Sequence, residues 1–221
     1  MKRFLPTRVL DVGRATNPKS VRLFCVSKGT TAPEKYVALS HRWGDPTQHQ
    51  QFCTTRSNLD SFKNGIDYDQ LPRTFQDAIT VTRGVGLRFL WIDSLCIVQD
   101  DSQDWERESK RMEAVYSSAY CTIAATCAEG STDGFLKDRP ERPYIIKRTT
   151  SGPDVYICEA IDNFQADVED SELNQRGWVL QERVLSSRTI YFTEKQCYWE
   201  CGDGIRCETL AKLRKYDAKS Q

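Results

Sequence analysis

Residues 87–98 read LRFLWIDSLCIV, a nearly continuous apolar run that only one acid, Asp93, interrupts deep inside. It is too short and too rich in β-formers for a helix. Its reading is a strand buried on both faces, the mark of a parallel sheet. Upstream, 71–86 (LPRTFQDAITVTRGVG) reads as a helix. Pro72 sits in its first turn, Phe75, Ala78, Ile79, Thr82 and Val85 share a face, and Gly84 and Gly86 stop it. Downstream, Asp101 or Ser102 is placed to cap a helix whose Trp105, Met112, Val115, Tyr116 and Ala119 share a face. Strands are expected at 19–26 (KSVRLFCV), 35–41 (KYVALSH) and 120–126 (YCTIAAT). Strands alternating with helices predict an α/β sheet with crossovers. Residues 127–172 break the pattern and read as an insertion or β-subdomain, with one strand-like piece at DVYICEA. The pattern resumes with a helix over 174–187 and strands at 188–192 and 197–201. The tail, 203–221, is expected to carry little beyond a helical turn or two.

The chain has 221 residues, 25.4 kDa, with 31 Lys plus Arg against 31 Asp plus Glu, hence a formal net charge of zero. That balance removes the general electrostatic reason for binding nucleic acid or anionic membrane, though not a local basic patch. No run approaches the ~20 apolar residues that span a bilayer, and the beginning, MKRFLPTRVLDVGR, lacks the apolar core of a signal peptide. The cysteines number nine, an odd count, and several lie in apolar runs; free thiols in a reducing cytoplasm are expected. Cys197, Cys201 and Cys207 have the spacing C-x3-C-x5-C, without a CxxC pair or a nearby histidine. A zinc site there would need a distant fourth ligand, so no metal is expected.

In a parallel sheet, ligands bind beyond the carboxyl ends of the strands. Three polar clusters fall there: Ser40, His41, Arg42, Trp43 and Gly44; Asp93, Ser94, Cys96 and Gln99; Arg176, Trp178, Gln181, Glu182 and Arg183. A Cys96–His41 nucleophilic pair is conceivable, but a catalytic thiol needs an electropositive, partly exposed setting, and Cys96 lies in LCIV. A Ser40–His41–Asp93 triad is weaker, because adjacent strand residues face opposite ways. Neither GxGxxG after a strand, nor a Walker loop, nor HExxH is present. Glu182, between Leu180 and Val184, is either a carboxylate in a half-apolar cleft or a solvated helix acid paired with Arg183 or Arg176. Trp43 is placed either to stack on a flat ring or to plug the core. Arg42 and Arg176 suit either phosphates or salt bridges.

Three stretches together resemble the fungal heterokaryon-incompatibility (HET) domain. They are YVALSHRWG, LRFLWIDSLCIVQDD-x-x-DW-x-x-E and RGWVLQERVLSSRTIYF, against family patterns such as YxxLSYxWG, WIDxLCIxQ and RGWTxQExxLSxR. The likeness spans about 20–202, in order. His41 stands where an aromatic is usual, Val98 where Asp or Asn is common, and Val179 where Thr is common. The resemblance implies a single HET domain over 1–221, a cytoplasmic module of regulated cell death joined to a sensor or regulatory region or partner protein. HET domains are further suggested to be remote relatives of Toll/interleukin-receptor (TIR) domains. That implies a TIR-like (flavodoxin-like), mostly parallel sheet flanked by helices, with 127–172 as an insertion foreign to TIR. Trp178 and Glu182 have the W-x-x-x-E spacing that carries the acid of NAD-cleaving TIR members.

The resemblance therefore implies NAD+ cleavage on self-association, with NAD+ as substrate and no cofactor. Glu182 is the expected catalytic acid; Ser40, His41, Arg42, Trp43, Asp93, Arg176 and Trp178 are the expected substrate-binding residues. A non-catalytic TIR-like signalling module is the alternative, and a metal-dependent nuclease using Asp93 and Glu182 is a third reading. Trp91 and Ile92 should be inaccessible. Asp93 should be near-buried and partnered by Arg42, Arg176 or a backbone N–H, since an unpaired buried carboxylate is costly. The loop near 128–134 and the tail are the expected mobile surfaces for assembly.

Overall fold

Val37–Ser40 and Cys121–Ala124 are buried at every position, and strands of that kind lie at the centre of a sheet covered on both faces. The structure, a computed structural model, describes residues 4–13, 19–26, 35–47, 51–139, 144–148, 152, 155–158, 162–175, 177–208 and 212–213. In chain order the elements are β1 (Arg8–Asp11), β2 (Ser20–Cys25), β3 (Val37–Ser40), α1 (Leu59–Asn64), β4 (Ile66–Asp67), α2 (Arg73–Gly84), β5 (Phe89–Trp91), α3 (Asp93–Cys96), α4 (Ser102–Ser109), α5 (Met112–Ser118) and β6 (Cys121–Ala124). There follow β7 (Tyr144–Lys147), β8 (Val155–Cys158), α6 (Gly177–Leu185), β9 (Arg188–Phe192), β10 (Cys197–Cys201), β11 (Gly204–Cys207) and β12 (Lys212–Leu213).

Ten strands form one sheet in the order β12-β11-β10-β9-β6-β3-β5-β1-β2-β4, and β7 pairs with β8 apart from it. The expectation of a mostly parallel sheet is corrected. Only β3–β5, β3–β6 and β6–β9 are parallel; the six other pairings of the large sheet are antiparallel. For the pairs that follow one another in sequence the reason is connection length. Parallel neighbours need a crossover of a dozen residues or more, and the helices lie between β3 and β5, β5 and β6, and β6 and β9. Gly202 and Asp203 alone join β10 to β11, which allows only a hairpin. Numbered among themselves, the four parallel strands lie in the order 2-1-3-4, so the strand order reverses between β3 and β6. β1, β11 and β12, not foreseen as strands, extend the sheet beyond 20–202, and the described part of the tail carries β11 and β12 rather than the expected helical turn or two. All of β1 is buried, and so are Ile205 and Cys207 of β11. β1, with four residues, was too short to display alternation.

The apolar run 87–98 is buried from Leu90 on, apart from Asp93, while Arg88 is exposed, and it is not one strand. β5 ends at Trp91, and residues 93–96 turn into α3, where Cys96 N donates to Ile92 O at 2.8 Å. Trp91 and Ile92 are inaccessible. Apolar content alone does not separate a buried strand from a buried helical turn.

The helix expected after Asp101 is two helices. Asp101 caps α4, accepting from Gln103 N and Asp104 N, and the chain breaks at 110–111 before α5. The buried side of α4 is acidic: Asp104 and Glu108 point inward, while Trp105 is half exposed rather than in the core. Asp104 pairs with Arg8 of β1 and with Arg107, and it accepts from Val98 N at 2.9 Å. Glu108 accepts from Thr7 at 2.8 Å and from Arg107 at 3.1 Å. α2 is as read, with Phe75, Ala78, Ile79 and Thr82 buried, though Pro72 precedes its first residue and Val85 is exposed.

The loop near 128–134 is pinned, contrary to expectation. Thr74 donates to Gly130 O at 2.9 Å, and Asp77 accepts from Phe135 N at 2.7 Å and Leu136 N at 3.0 Å. Gly134 has φ 71°, and a Cβ there would lie 2.5 Å from Arg73 Cγ, so this corner accepts only glycine. Among the described residues no helix is long and apolar enough to cross a membrane.

Candidate functional site

The parallel core ends at Ser40, beside the point where the strand order reverses. Ser40 and His41 point to opposite sides of the chain, as neighbours on an extended strand must. Ser40 Oγ donates to Glu182 Oε2 of α6 at 2.5 Å, joining residues 142 apart in sequence. His41 packs edge-on against Phe75 of α2, with ring centroids 5.2 Å apart, and its Nδ1 lies 3.9 Å from Asp93 Oδ1.

Asp93 is less buried than expected, its side chain 26% exposed. Arg42, one expected partner, pairs with Glu172 instead, and Arg176 lies outside the described residues. The Trp43 indole donates to Oδ2 at 2.8 Å and the Ser94 N–H to Oδ1 at 2.7 Å. The backbone N–H was among the expected partners; the indole was not. That bond fixes the plane of Trp43, whose carbonyl also accepts from Ser131 Oγ of the pinned loop at 3.2 Å.

Three anchors aim α6. Ser186 Oγ bonds Thr122 Oγ1 of β6 at 2.7 Å and donates to Glu182 O at 2.6 Å. Arg183 binds Glu200 of β10 at 3.1 Å and Glu169 at 3.0 Å, and it lies over the Phe164 and Tyr191 rings. The partner offered to Glu182 by sequence spacing, Arg183, thus pairs with other acids. α5, held to β3 by Tyr116 OH on Leu39 O at 3.1 Å, packs against α6.

These elements enclose a cleft of about 170 Å³ lined by His41, Trp43, Asp93, Trp105, Tyr116 and Glu182, among others. A cavity of roughly 150 Å³ holds one benzene ring, so the cleft has about the volume of a single six-membered ring. Its described lining carries two carboxylates and neither Lys nor Arg. Trp105, 50% exposed, stands in its wall. Sequence reading missed that role because it placed Trp105 on the core face. The available signal was DW-x-x-E, whose two acids take the inward positions and turn the indole out.

Arg42 does not join this cleft. It pairs with Glu172 and lines an open groove of about 670 Å³ on the other side of Trp43. Arg176 and the side chain of Trp178 lie outside the described residues. So His41, Trp43, Asp93 and Glu182 converge on the cleft, with Ser40 behind Glu182.

Cys96 is no nucleophile. Burial pushes its thiol up to about 12 from 9.0, so it stays protonated at neutral pH. Alkylation of the native protein is expected to label exposed Cys25 and to spare Cys96 until denaturant is added. Mass spectrometry of the peptides checks this, and native labelling of Cys96 would contradict its burial. Among the described residues no three His, Cys, Asp or Glu side chains are grouped to hold a metal, Cys197, Cys201 and Cys207 included.

Comparison with known proteins bears on this geometry. The family profile described as Heterokaryon incompatibility protein (HET) matches residues 36–182, from Tyr36, just before β3, to Glu182 itself. The chain belongs to the HET family. It is also similar to "Heterokaryon incompatibility protein 6, OR allele" of Neurospora crassa, at 23% identity over 222 aligned positions that cover 83% of this chain. The HET chain spans about a third (32%) of that relative's length. No solved structure matches it.

Proposed function

We propose that this HET domain cleaves NAD+ between nicotinamide and ribose, as the death effector of a fungal incompatibility reaction in the cytoplasm. The observation that carries the reading is the ring-sized cleft with two carboxylates, indole walls and no cation in its described lining. Such a lining favours a flat cation, and the pyridinium is the cationic end of NAD+. The parallel-strand order 2-1-3-4, with the cleft beside its reversal, and the Trp178–Glu182 spacing on α6 support a TIR-like ancestry.

The chemistry asks little of the protein. The C–N bond breaks with its electron pair going to the ring nitrogen, so nicotinamide leaves neutral and needs no general acid. Positive charge develops on the ribose, and Glu182 stabilises it and accepts from the ribose hydroxyls. Water adds at the anomeric carbon and releases one proton, giving ADP-ribose. Trp43, its plane set by Asp93, supplies the stacking face. Ser40 holds the Glu182 carboxylate, and His41 packs behind Asp93.

A toxic activity that is harmless when dilute must depend on assembly, and zero net charge leaves identical monomers without strong mutual repulsion. Nicotinamide release per molecule is therefore expected to rise with protein concentration or forced oligomerisation, followed by chromatography. The absence of NAD+ loss at high concentration and in forced oligomers would remove the enzymatic reading and leave a signalling module.

A further inference from the structure

Two hollows lie along the carboxyl ends of the parallel strands beside the ring cleft. One, about 670 Å³, runs past Trp43, Gly44 and Asp45; the other, about 280 Å³, runs past Thr126 and Lys195. Arg42 and Glu172 line both, so their ion pair stands as a bar between the two hollows. Trp43 in turn lines both the larger hollow and the ring cleft, so these two spaces adjoin across its indole.

Glu172 is presented, not merely nearby. Its neighbour Leu173 is buried with Val168 in one cluster with Ala124, Tyr191 and Tyr198 of the sheet, and Asn174 and Ser171 both bond Val168 O. Its own side chain remains 70% exposed, against 29% for Arg42. An exposed single-charge pair of this kind is weak. A pyrophosphate offers several anionic oxygens, and the planar guanidinium can bind two of them at once as a fork.

We propose that Glu172 is a built-in competitor for Arg42. A diphosphate displaces it, and Arg42 then selects substrates that carry phosphates beside the ring held in the cleft. This rests on the NAD+ reading for the ring, while the diphosphate subsite itself does not require turnover. Breaking the Arg42–Glu172 pair also removes the bar and merges the two hollows into one channel for the remainder of a dinucleotide.

The test is calorimetric binding of ADP-ribose, which has the diphosphate but no bond left to cleave, with adenosine as the phosphate-free control. E172Q is expected to tighten ADP-ribose about two- to fivefold, the yield of removing a weak exposed pair. R42Q is expected to weaken it about tenfold or more, the loss of a charge-assisted phosphate contact. Adenosine should respond to neither. Thermal melting of both variants checks that these surface changes leave the fold intact. Equal ADP-ribose affinity in all three proteins, or no binding by any of them, overturns the competitor. If NAD+ is nevertheless cleaved, the cleft reading survives that failure. If ADP-ribose binding shifts as stated while NAD+ stays intact, the diphosphate subsite stands and the glycohydrolase reading falls.

Discussion

Glu182→Gln is expected to slow nicotinamide release from NAD+ by about two to three orders of magnitude, the usual cost of removing one preorganised group that meets transition-state charge. The substitution is nearly isosteric, and the amide oxygen still accepts from Ser40 Oγ, the bond that measures 2.5 Å in the native protein. What disappears is the negative charge facing the developing oxocarbenium. Stability should change by no more than about 1 kcal/mol, since one partly buried hydrogen bond is exchanged for another. Initial rates at fixed protein concentration, paired with thermal melting, separate the two effects. A variant that retains more than a tenth of the native rate would take the reaction away from Glu182 and would point to Asp93.

The largest effect on stability is expected from Asp104→Ala. Asp104 and Arg8 are buried together, their side chains 6% and 8% exposed. The same guanidinium donates from Nε to Cys96 O at 2.6 Å, so Arg8 fastens β1, α3 and α4 at one point. Removing the acid strands a buried arginine and deprives the Val98 N–H of its acceptor, 2.9 Å away. Breaking one partner of a buried pair costs about 3–5 kcal/mol, a large part of the roughly 5–15 kcal/mol that holds a domain folded. Urea unfolding should show it directly. Replacing both partners, Arg8→Met with Asp104→Leu, should restore much of the loss, because neither member of the pair is then left buried without the other. A loss under about 1 kcal/mol for Asp104→Ala would mean that water reaches the pair. α4 carries Trp105 into the cleft wall, so this distant pair also bears on ring binding.

Most of the parallel core was legible from residue pattern. The runs 35–41, 120–126 and 188–192 combine β-branched and aromatic residues between turn signals, and they became β3, β6 and β9. The helix over 71–86 was legible because its apolar spacing and its glycines agree. Less legible was whatever depends on partners far away in sequence. β1 is only four residues and is recognisable as a strand only once β2 and β5 flank it. The run 87–98 read as one strand because burial, not backbone shape, is what its composition encodes. Trp105 read as core because an apolar ring on a helix ordinarily turns inward. Here Asp104 and Glu108 take the inward positions, and the reason is Arg8 and Thr7, about a hundred residues earlier.

The candidate site divides along the same line. Sequence by itself determined which residues were available: Ser40 to Trp43 at a strand end, Asp93 inside an apolar run, Glu182 one helical turn after Trp178. It determined the family as well, because three motifs in a fixed order are a pattern in the chain and need no geometry. Only the tertiary structure decided which of these residues meet. It turned Ser40 toward Glu182, gave Asp93 to the Trp43 indole, and sent Arg42 away to Glu172. The physical reason is that a carboxylate's partner is chosen by distance and desolvation, which the crossovers from β3 to β5 and from β6 to β9 impose across as many as 142 residues. A chain read in one dimension carries the charges, and only the folded sheet brings them within a few ångströms.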